Sequence, residues 1–161
     1  MESKKTLYPI TEDFLKNYTI DYPPLIPLYR DYHIQEGYDK FRSSDKFLIF
    51  IDNVKELLEE QVSVLQLNDF PYYTTDNIKH YVLWINNKIK KNHPPNLEKT
   101  FIENEIKKSL DINIVDSTDS TDSTDSTIVK KGETLITYWV NPPINSSIKH
   151  ILHSHIFTKT N

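Results

Sequence analysis

IKHYVLWI, at residues 78–85, is the segment from which the fold class can be predicted. It is rich in β-branched and aromatic residues and follows a polar run with turn-forming residues, which is typical of a β-strand. Successive side chains of a strand point to opposite faces, so Ile78, His80, Val82 and Trp84 share one face. The segment therefore predicts a strand that carries a histidine among apolar neighbours.

Two further strands and two helices are predicted around this segment. Residues 133–140 (ETLITYWV) and 150–158 (HILHSHIFT) have strand composition. Residues 52–65 and 97–110 place apolar side chains at helical spacing. We therefore expect an α+β fold with an antiparallel sheet whose one face is covered by the two helices.

A chain of 161 residues is long enough to bury one core, so we expect a single domain. Residues 1–65 are predicted to form an N-terminal arm and helices that pack on a core domain at 66–158. Thr11 precedes a carboxylate-rich turn and is expected to cap a short helix. The prolines of residues 23–27 then favour an extended path.

Residues 116–127 repeat the triplet DST four times. The repeat has no apolar side chain to bury, so we expect a disordered loop. It is either a phosphorylation cluster or an insertion that a tolerant loop accepted by replication slippage.

Composition excludes several classes of site. The chain has no cysteine, which excludes disulfides, zinc–thiolate sites and a cysteine nucleophile. Its only glycines are Gly37 and Gly132, which excludes glycine-rich phosphate loops and the dinucleotide-binding fingerprint. No cofactor is expected.

The charge balance gives no support for nucleic-acid binding. Only Arg30 and Arg42 of the 19 basic residues are arginines, and the abundance of Lys, Asn, Ile and Tyr indicates an AT-rich genome. The net charge is −4, whereas proteins that bind phosphate backbones usually carry a basic face. No secretory signal or membrane span is recognised. We therefore expect a soluble protein of the cytoplasm, with the nucleus as a second location, and neither membrane nor nucleic acid as a partner.

The histidines of residues 150–158 are the candidates for chemistry. His153 and His155 lie two apart and share a face, whereas His150 has the other parity unless a bulge intervenes. The pair is open to three interpretations: ordinary strand histidines, a phosphate site with a nucleophile and an anion partner, or a divalent-metal site completed by Asp69. A bare His-x-His does not choose among them.

Four motifs resemble the N-acetylglucosamine-induced protein 1 family, a domain of unknown function. They are NDFPYY (68–73), IKHYVLW (78–84), YWVNPP (138–143) and SSIKHILHSHIF (146–157). The resemblance covers residues 66–158 and implies no established activity.

The order of polar residues is also similar, more distantly, to the histidine-triad superfamily of nucleotide hydrolases and transferases. That resemblance implies a histidine-triad-like fold, with an Asp-x-Pro segment at Asp69 before the strand of His80. It implies phosphate contacts from Asn141 and Ser147, a nucleophile at His153 and an anion-binding neighbour at His155.

The chain departs from the histidine-triad pattern at its first histidine position, which is Ile151, and at Pro142, where that family has glycine. His150 lies one residue out of register. The implied catalytic residues are His153 and His155, and the implied ligand-binding residues are Asp69, His80, Asn141, Ser147 and His150. The expected ligand is a nucleotide or sugar-nucleotide phosphate, the alternative is a non-catalytic binding module, and whether the protein is an enzyme stays open.

Overall fold

The computed structural model describes residues 7–86, 95–110, 133–142, 148 and 151–160. Four helices lie in these ranges: α1 Glu12–Leu15, α2 Tyr32–Arg42, α3 Asp45–Glu60 and α4 Pro95–Leu110. Four strands accompany them: β1 Ser63–Leu67, β2 Ile78–Ile85, β3 Glu133–Trp139 and β4 Leu152–Thr160. The predicted α+β fold with an antiparallel sheet is confirmed. The DST repeat lies outside the described residues.

The sheet has the order β1-β2-β4-β3, and every pair of neighbours is antiparallel. β4, the last strand in the sequence, therefore lies between β2 and β3. Its register places His155 opposite Val82 on one side and Trp139 on the other. This pairing brings histidines from distant parts of the sequence onto one sheet face.

The two long helices cover opposite faces of the sheet, so the prediction that both cover one face is wrong. Ile102 and Ile106 of α4 pack with Leu83, whereas Val54 of α3 packs with Val82. Since neighbouring residues of β2 point to opposite sides, the sheet is sandwiched between α4 and the N-terminal helices. This explains why six successive residues of β4, 153–158, are all buried.

The helix predicted at 52–65 is also wrong at both ends. α3 starts at Asp45 and ends at Glu60, and Gln61 has extended backbone angles, φ −121° and ψ 147°. Residues 63–67 form the edge strand β1, which pairs with β2. Pairing with an existing strand outweighs the helical spacing of residues 62–65, because tertiary contacts override weak local propensity.

The N-terminal segment before α2 packs on the sheet and on the turn before β2. The Thr11 side chain accepts a hydrogen bond of 3.2 Å from the backbone N–H of Phe14 and caps α1. Leu15 is fully buried, and Ile10 forms a parallel bridge with Thr74. The arm is thus fixed to the turn that precedes β2.

A β-bulge in β3 sets the direction of its last residues. The register with β4 shifts between Leu135 and Thr137. As a result Leu135 packs against the buried cluster beneath α4, which we call the α4 cluster and which includes Leu83, Ile102 and Ile106. Trp139 packs on the opposite face. The bulge thereby turns the Trp139 indole toward the sheet face that carries His155.

Candidate functional site

The sheet face beneath the N-terminal helices carries three buried histidines. His80 comes from β2, and His153 and His155 come from β4. Their exposed fractions are 2%, 7% and 5%. The ring centroid of His155 lies 5.0 Å from that of His80 and 5.4 Å from that of His153. The two strands thus gather three imidazoles at one place.

Two of these rings belong to a continuous line of polar contacts, which we call the imidazole chain. His80 Nε2 lies 2.8 Å from His155 Nδ1, and His155 Nε2 lies 3.0 Å from Asn141 Nδ2. Asn141 Oδ1 accepts a hydrogen bond of 2.8 Å from Trp139 Nε1. At the other end, the backbone N–H of Tyr72 donates to His80 Nδ1 at 3.2 Å. Both nitrogens of each ring are therefore engaged.

Burial keeps the two chain imidazoles neutral. It lowers the pKa of His80 from 6.5 to about 3, and the nearby Arg30 guanidinium acts in the same direction. Burial also holds the pKa of His155 well below its ordinary value, with His80 as the next cause. A charged imidazolium at either position would lose its hydration without gaining a carboxylate partner.

His153 has a different environment. Its Nδ1 lies 2.9 Å from the carbonyl oxygen of Ile151, which can only accept, so Nδ1 carries the proton. Burial lowers the pKa of His153, and the hydrogen bond to Ile151 partly opposes this shift. Nε2 of the neutral ring therefore carries no proton and has a free lone pair. Among the described residues no partner binds it.

A cavity of about 60 Å³ adjoins this ring. Its floor is the sheet face, with Gln66, Val82, Trp84, His153 and His155. Its walls come from the N-terminal region, from the turn after β1 and from the segment before β4: Arg30, Tyr38, Phe41, Phe50, Leu67, Asn68, Asp69, Phe70 and Ile148. The cavity is thus lined mostly by aromatic and aliphatic side chains, with one cation and one carboxylate.

Arg30 is the cation of this cavity, and its orientation is fixed. Its Nε donates to the carbonyl oxygen of Phe70 at 2.7 Å, and the guanidinium carbon lies 4.0 Å from the centre of the Tyr38 ring and 5.2 Å from that of Tyr72. No carboxylate of the described part of the chain forms an ion pair with it. A guanidinium held in this way presents unused N–H donors to an anion.

The predicted site residues fall into three groups. His153, His155 and Asp69 line the cavity, with Asp69 exposed. His80 and Asn141 lie behind it in the imidazole chain. Ser147 and His150 lie outside the described residues, so the structure says nothing of their predicted roles.

Sequence reasoning missed Arg30. The available indication was its residue type, because the chain is rich in lysine and has only two arginines, one of which lines this cavity. Lysine is a point charge, whereas the planar guanidinium can stack on aromatic rings. The hydrogen bonds that Trp139 and Tyr72 donate were also missed, because they depend on contacts that the sequence does not reveal.

Comparison with protein families gives a match over residues 29–159, to the family described as "Protein of unknown function (DUF3605)". The chain belongs to this family. The expected domain of unknown function is thereby confirmed in its coarse form, while the likenesses to N-acetylglucosamine-induced protein 1 and to the histidine triad stay predictions. The DUF3605 match includes α2 and α3, so it begins well before the core domain predicted at 66–158.

Among solved structures, one named "Crystal Structure of HTC1" is similar to the DUF3605 chain, with a TM-score of 0.49 and 16% identity. The likeness covers 83% of this chain and 77% of that chain. A likeness of this size carries no argument about function. None of the curated proteins matches.

The described residues contain neither a membrane-spanning helix nor a cluster of metal ligands. No helix within them has the length and apolar character needed to cross a membrane. No group of three or more His, Asp or Glu side chains within them is arranged to hold a metal ion. In particular, Asp69 does not complete such a group with the histidine pair.

Proposed function

We propose that the cavity binds the phosphate group of a small phosphorylated ligand and that His153 acts there as a nucleophile. One observation carries the proposal: His153 and Arg30 line the same cavity, and the Nε2 atom of His153 has no hydrogen-bond partner among the described residues. A neutral imidazole beside a fixed cation suits attack on a phosphate, because the cation offsets the charge of the group under attack.

The hydrogen bond to Ile151 supports the nucleophilic role. It holds the proton of His153 on Nδ1, so Nε2 needs no base to become a nucleophile. When Nε2 forms a bond to phosphorus and the P–O bond to the leaving group breaks, the ring becomes cationic. The Ile151 carbonyl oxygen already accepts a hydrogen bond from Nδ1–H, and it then stabilises the cationic ring. Water next attacks phosphorus, inorganic phosphate leaves, and Nε2 regains its lone pair.

The size of the cavity limits what can enter. About 60 Å³ is less than half of the ~150 Å³ cavity that accommodates a benzene molecule. A phosphate group fits, whereas a base and sugar do not. The remainder of a nucleotide or sugar-nucleotide would therefore lie outside the cavity and bind to other residues.

This proposal keeps only part of the histidine-triad resemblance. It keeps His153 as the nucleophile. It does not use Asn141 or His155 as donors to the phosphate, because both already bind their neighbours in the imidazole chain. A non-catalytic phosphate-binding module is the alternative, and the experiment below separates the two.

The test measures ligand binding and turnover on the same variants. Thermal shift with inorganic phosphate, nucleotides and sugar-nucleotides selects a ligand, and phosphate release measures turnover. His153→Ala should abolish turnover and leave the dissociation constant within a few-fold. Arg30→Gln should weaken binding about tenfold to a hundredfold, the effect of losing a hydrogen bond to a charged group.

Matched controls come from the same chain. Arg42 also stacks on an aromatic ring, 4.6 Å from the centre of Phe47, but does not line the cavity, so Arg42→Gln should leave binding unchanged. His33 is exposed on α2 and serves as the control for His153. If no phosphorylated compound stabilises the wild type, the proposal is wrong. Binding without turnover would leave the non-catalytic alternative.

A further inference from the structure

The Gln66 side chain on the floor of the cavity is held in one orientation. Trp84 Nε1 can only donate, and it lies 3.0 Å from Gln66 Oε1, so the amide oxygen faces the indole. The amide nitrogen Nε2 keeps both of its N–H groups. Within the part of the chain that the structure describes, no acceptor binds them. Since Gln66 lines the cavity, these N–H groups are available to a ligand.

Asn68, two residues further along the chain, follows the same pattern. The backbone N–H of Phe70 donates to Asn68 Oδ1 at 2.8 Å, and the backbone N–H of Asn68 donates to the carbonyl oxygen of His80 at 2.9 Å. The amide oxygen is thus in use, and the backbone is fixed to β2. Asn68 also lines the cavity. Both amides therefore use their acceptor within the protein and keep their donors.

Arg30 completes a set of three donors, which we call the donor triplet: Gln66 Nε2, Asn68 Nδ2 and the terminal nitrogens of the Arg30 guanidinium. The Nε of Arg30 is used by the carbonyl oxygen of Phe70, so this side chain too has only donors left. All three side chains line the cavity. The donor triplet therefore suits a ligand group with three acceptor atoms.

Trp84 connects the donor triplet to the nucleophile of the proposed site. Its Nε1 binds Gln66, and its ring centroid lies 5.0 Å from that of His153. Trp84 is also the residue of β2 that pairs with His153 of β4, while Gln66 pairs with Val82 of β2. Gln66 and His153 therefore lie on the same sheet face, on either side of β2.

We propose that the donor triplet selects the terminal phosphate of a phosphate monoester, whose three free oxygens it matches, and rejects a phosphodiester. This inference rests on the proposed phosphate site and names its substrate class. In phosphoryl transfer the attacking and leaving atoms are in line, and charge is spread over three equatorial oxygens. Gln66, Asn68 and Arg30 each donate to one of these oxygens while His153 attacks phosphorus.

A phosphodiester fits the donor triplet poorly. It has only two free oxygens, because the other two carry carbon substituents, so one donor of the triplet is left without a good acceptor. Its second substituent also needs room in a cavity of about 60 Å³. The internal phosphates of a sugar-nucleotide are rejected for the same reason. A nucleotide would therefore bind through a terminal phosphate.

The test compares the binding of three small anions: methyl phosphate, methyl sulfate and dimethyl phosphate. At pH 8 methyl phosphate is a dianion, because the second pKa of a phosphate monoester is about 6. Methyl sulfate and dimethyl phosphate both carry one negative charge, but the first has three free oxygens and the second has two. NMR titration of the backbone amides should rank methyl phosphate tightest, methyl sulfate next and dimethyl phosphate weakest. Dimethyl phosphate binding as tightly as methyl sulfate would refute the selection of monoesters.

Two variants test the amides of the donor triplet. Gln66→Met removes one donor without changing the charge and should weaken methyl phosphate binding about tenfold to a hundredfold. Gln61→Met is its control, because Gln61 is exposed and does not line the cavity. Asn68→Asp keeps the oxygen that binds the Phe70 N–H but replaces the donors by a charged acceptor, so it should weaken binding at least as much. Asn53→Asp adds the same charge at an exposed position of α3 and should change nothing.

The pattern of results separates the possible failures. Loss of the Trp84 contact alone would make Gln66→Met weaken all three anions equally, whereas loss of a donor should reduce the preference for methyl phosphate over dimethyl phosphate. If neither inorganic phosphate nor any of the three anions binds the wild type, the proposed function fails. If Arg30→Gln weakens methyl phosphate binding but Gln66→Met and Asn68→Asp do not, the donor triplet alone is refuted.

Discussion

The burial of His80 predicts a specific loss of stability in mild acid. Its pKa is about 3 in the folded protein and about 6.5 in the unfolded chain. A depressed folded pKa means that the unfolded state binds the proton first. Stability is therefore complete above pH 6.5 and falls as the pH decreases toward 3. From pH 7 to pH 5 this one group lowers the free energy of unfolding by about 2 kcal/mol.

The variant His80→Asn isolates this contribution. It removes the titrating ring and keeps a polar side chain at the same place in the sheet. The variant should be less stable than wild type at pH 7, because a buried hydrogen-bonded ring is lost. Its further loss from pH 7 to pH 5 should be smaller than that of wild type by about 2 kcal/mol. His153, whose pKa is also lowered by burial, keeps its contribution in both proteins. The lowered pKa of His155 keeps its largest cause, burial, and loses only the smaller effect of His80.

The assay is urea unfolding at pH 7, 6 and 5, with the free energy extrapolated to water at each pH. His33→Asn is the control, since His33 is exposed on α2 and its replacement removes the same residue type without removing a buried ring. Parallel curves for wild type and His80→Asn would refute the argument. They would mean that His80 takes up a proton without unfolding.

Three further predictions concern the scaffold. Thr11→Ala removes the cap of α1 and should lower the free energy of unfolding by about 1 kcal/mol, measured by urea unfolding. Ile102→Ala leaves a cavity in the fully buried α4 cluster and should cost about 2–5 kcal/mol in the same assay, so a loss below 1 kcal/mol would contradict that packing. Deletion of residues 116–127 should change the melting temperature little, and a loss of several degrees would show that the repeat packs.

The local sequence pattern was sufficient to predict a strand that is rich in β-branched and aromatic residues. The bounds predicted for 78–85 match β2, because β-branched and aromatic residues fill it and turn residues precede it. Composition did not reveal β1. Its residues continue a helical spacing of apolar side chains, and only pairing with β2 makes them a strand. The face that each helix covers could not be predicted either, since an amphipathic stripe does not show which side of a sheet it contacts.

The candidate site shows the same limit. Spacing alone placed His153 and His155 on one face. It could not show that Arg30 lines the same cavity, because Arg30 lies far from them in the sequence and is positioned by its contacts with Phe70 and Tyr38. The bulge between Leu135 and Thr137 is a second example, since no residue type marks it and yet it directs Trp139 toward the imidazole chain.

The position of β4 affects how the protein is made. A ribosome synthesises β1, β2 and β3 before the strand that joins β2 to β3, so until then the nascent chain has two strands with open edges and apolar faces. The contacts of β4 with both neighbours, and its two site histidines, therefore form last. A message that stops before codon 152 would yield a chain without its middle strand. Such a chain would be a substrate for chaperones and proteases.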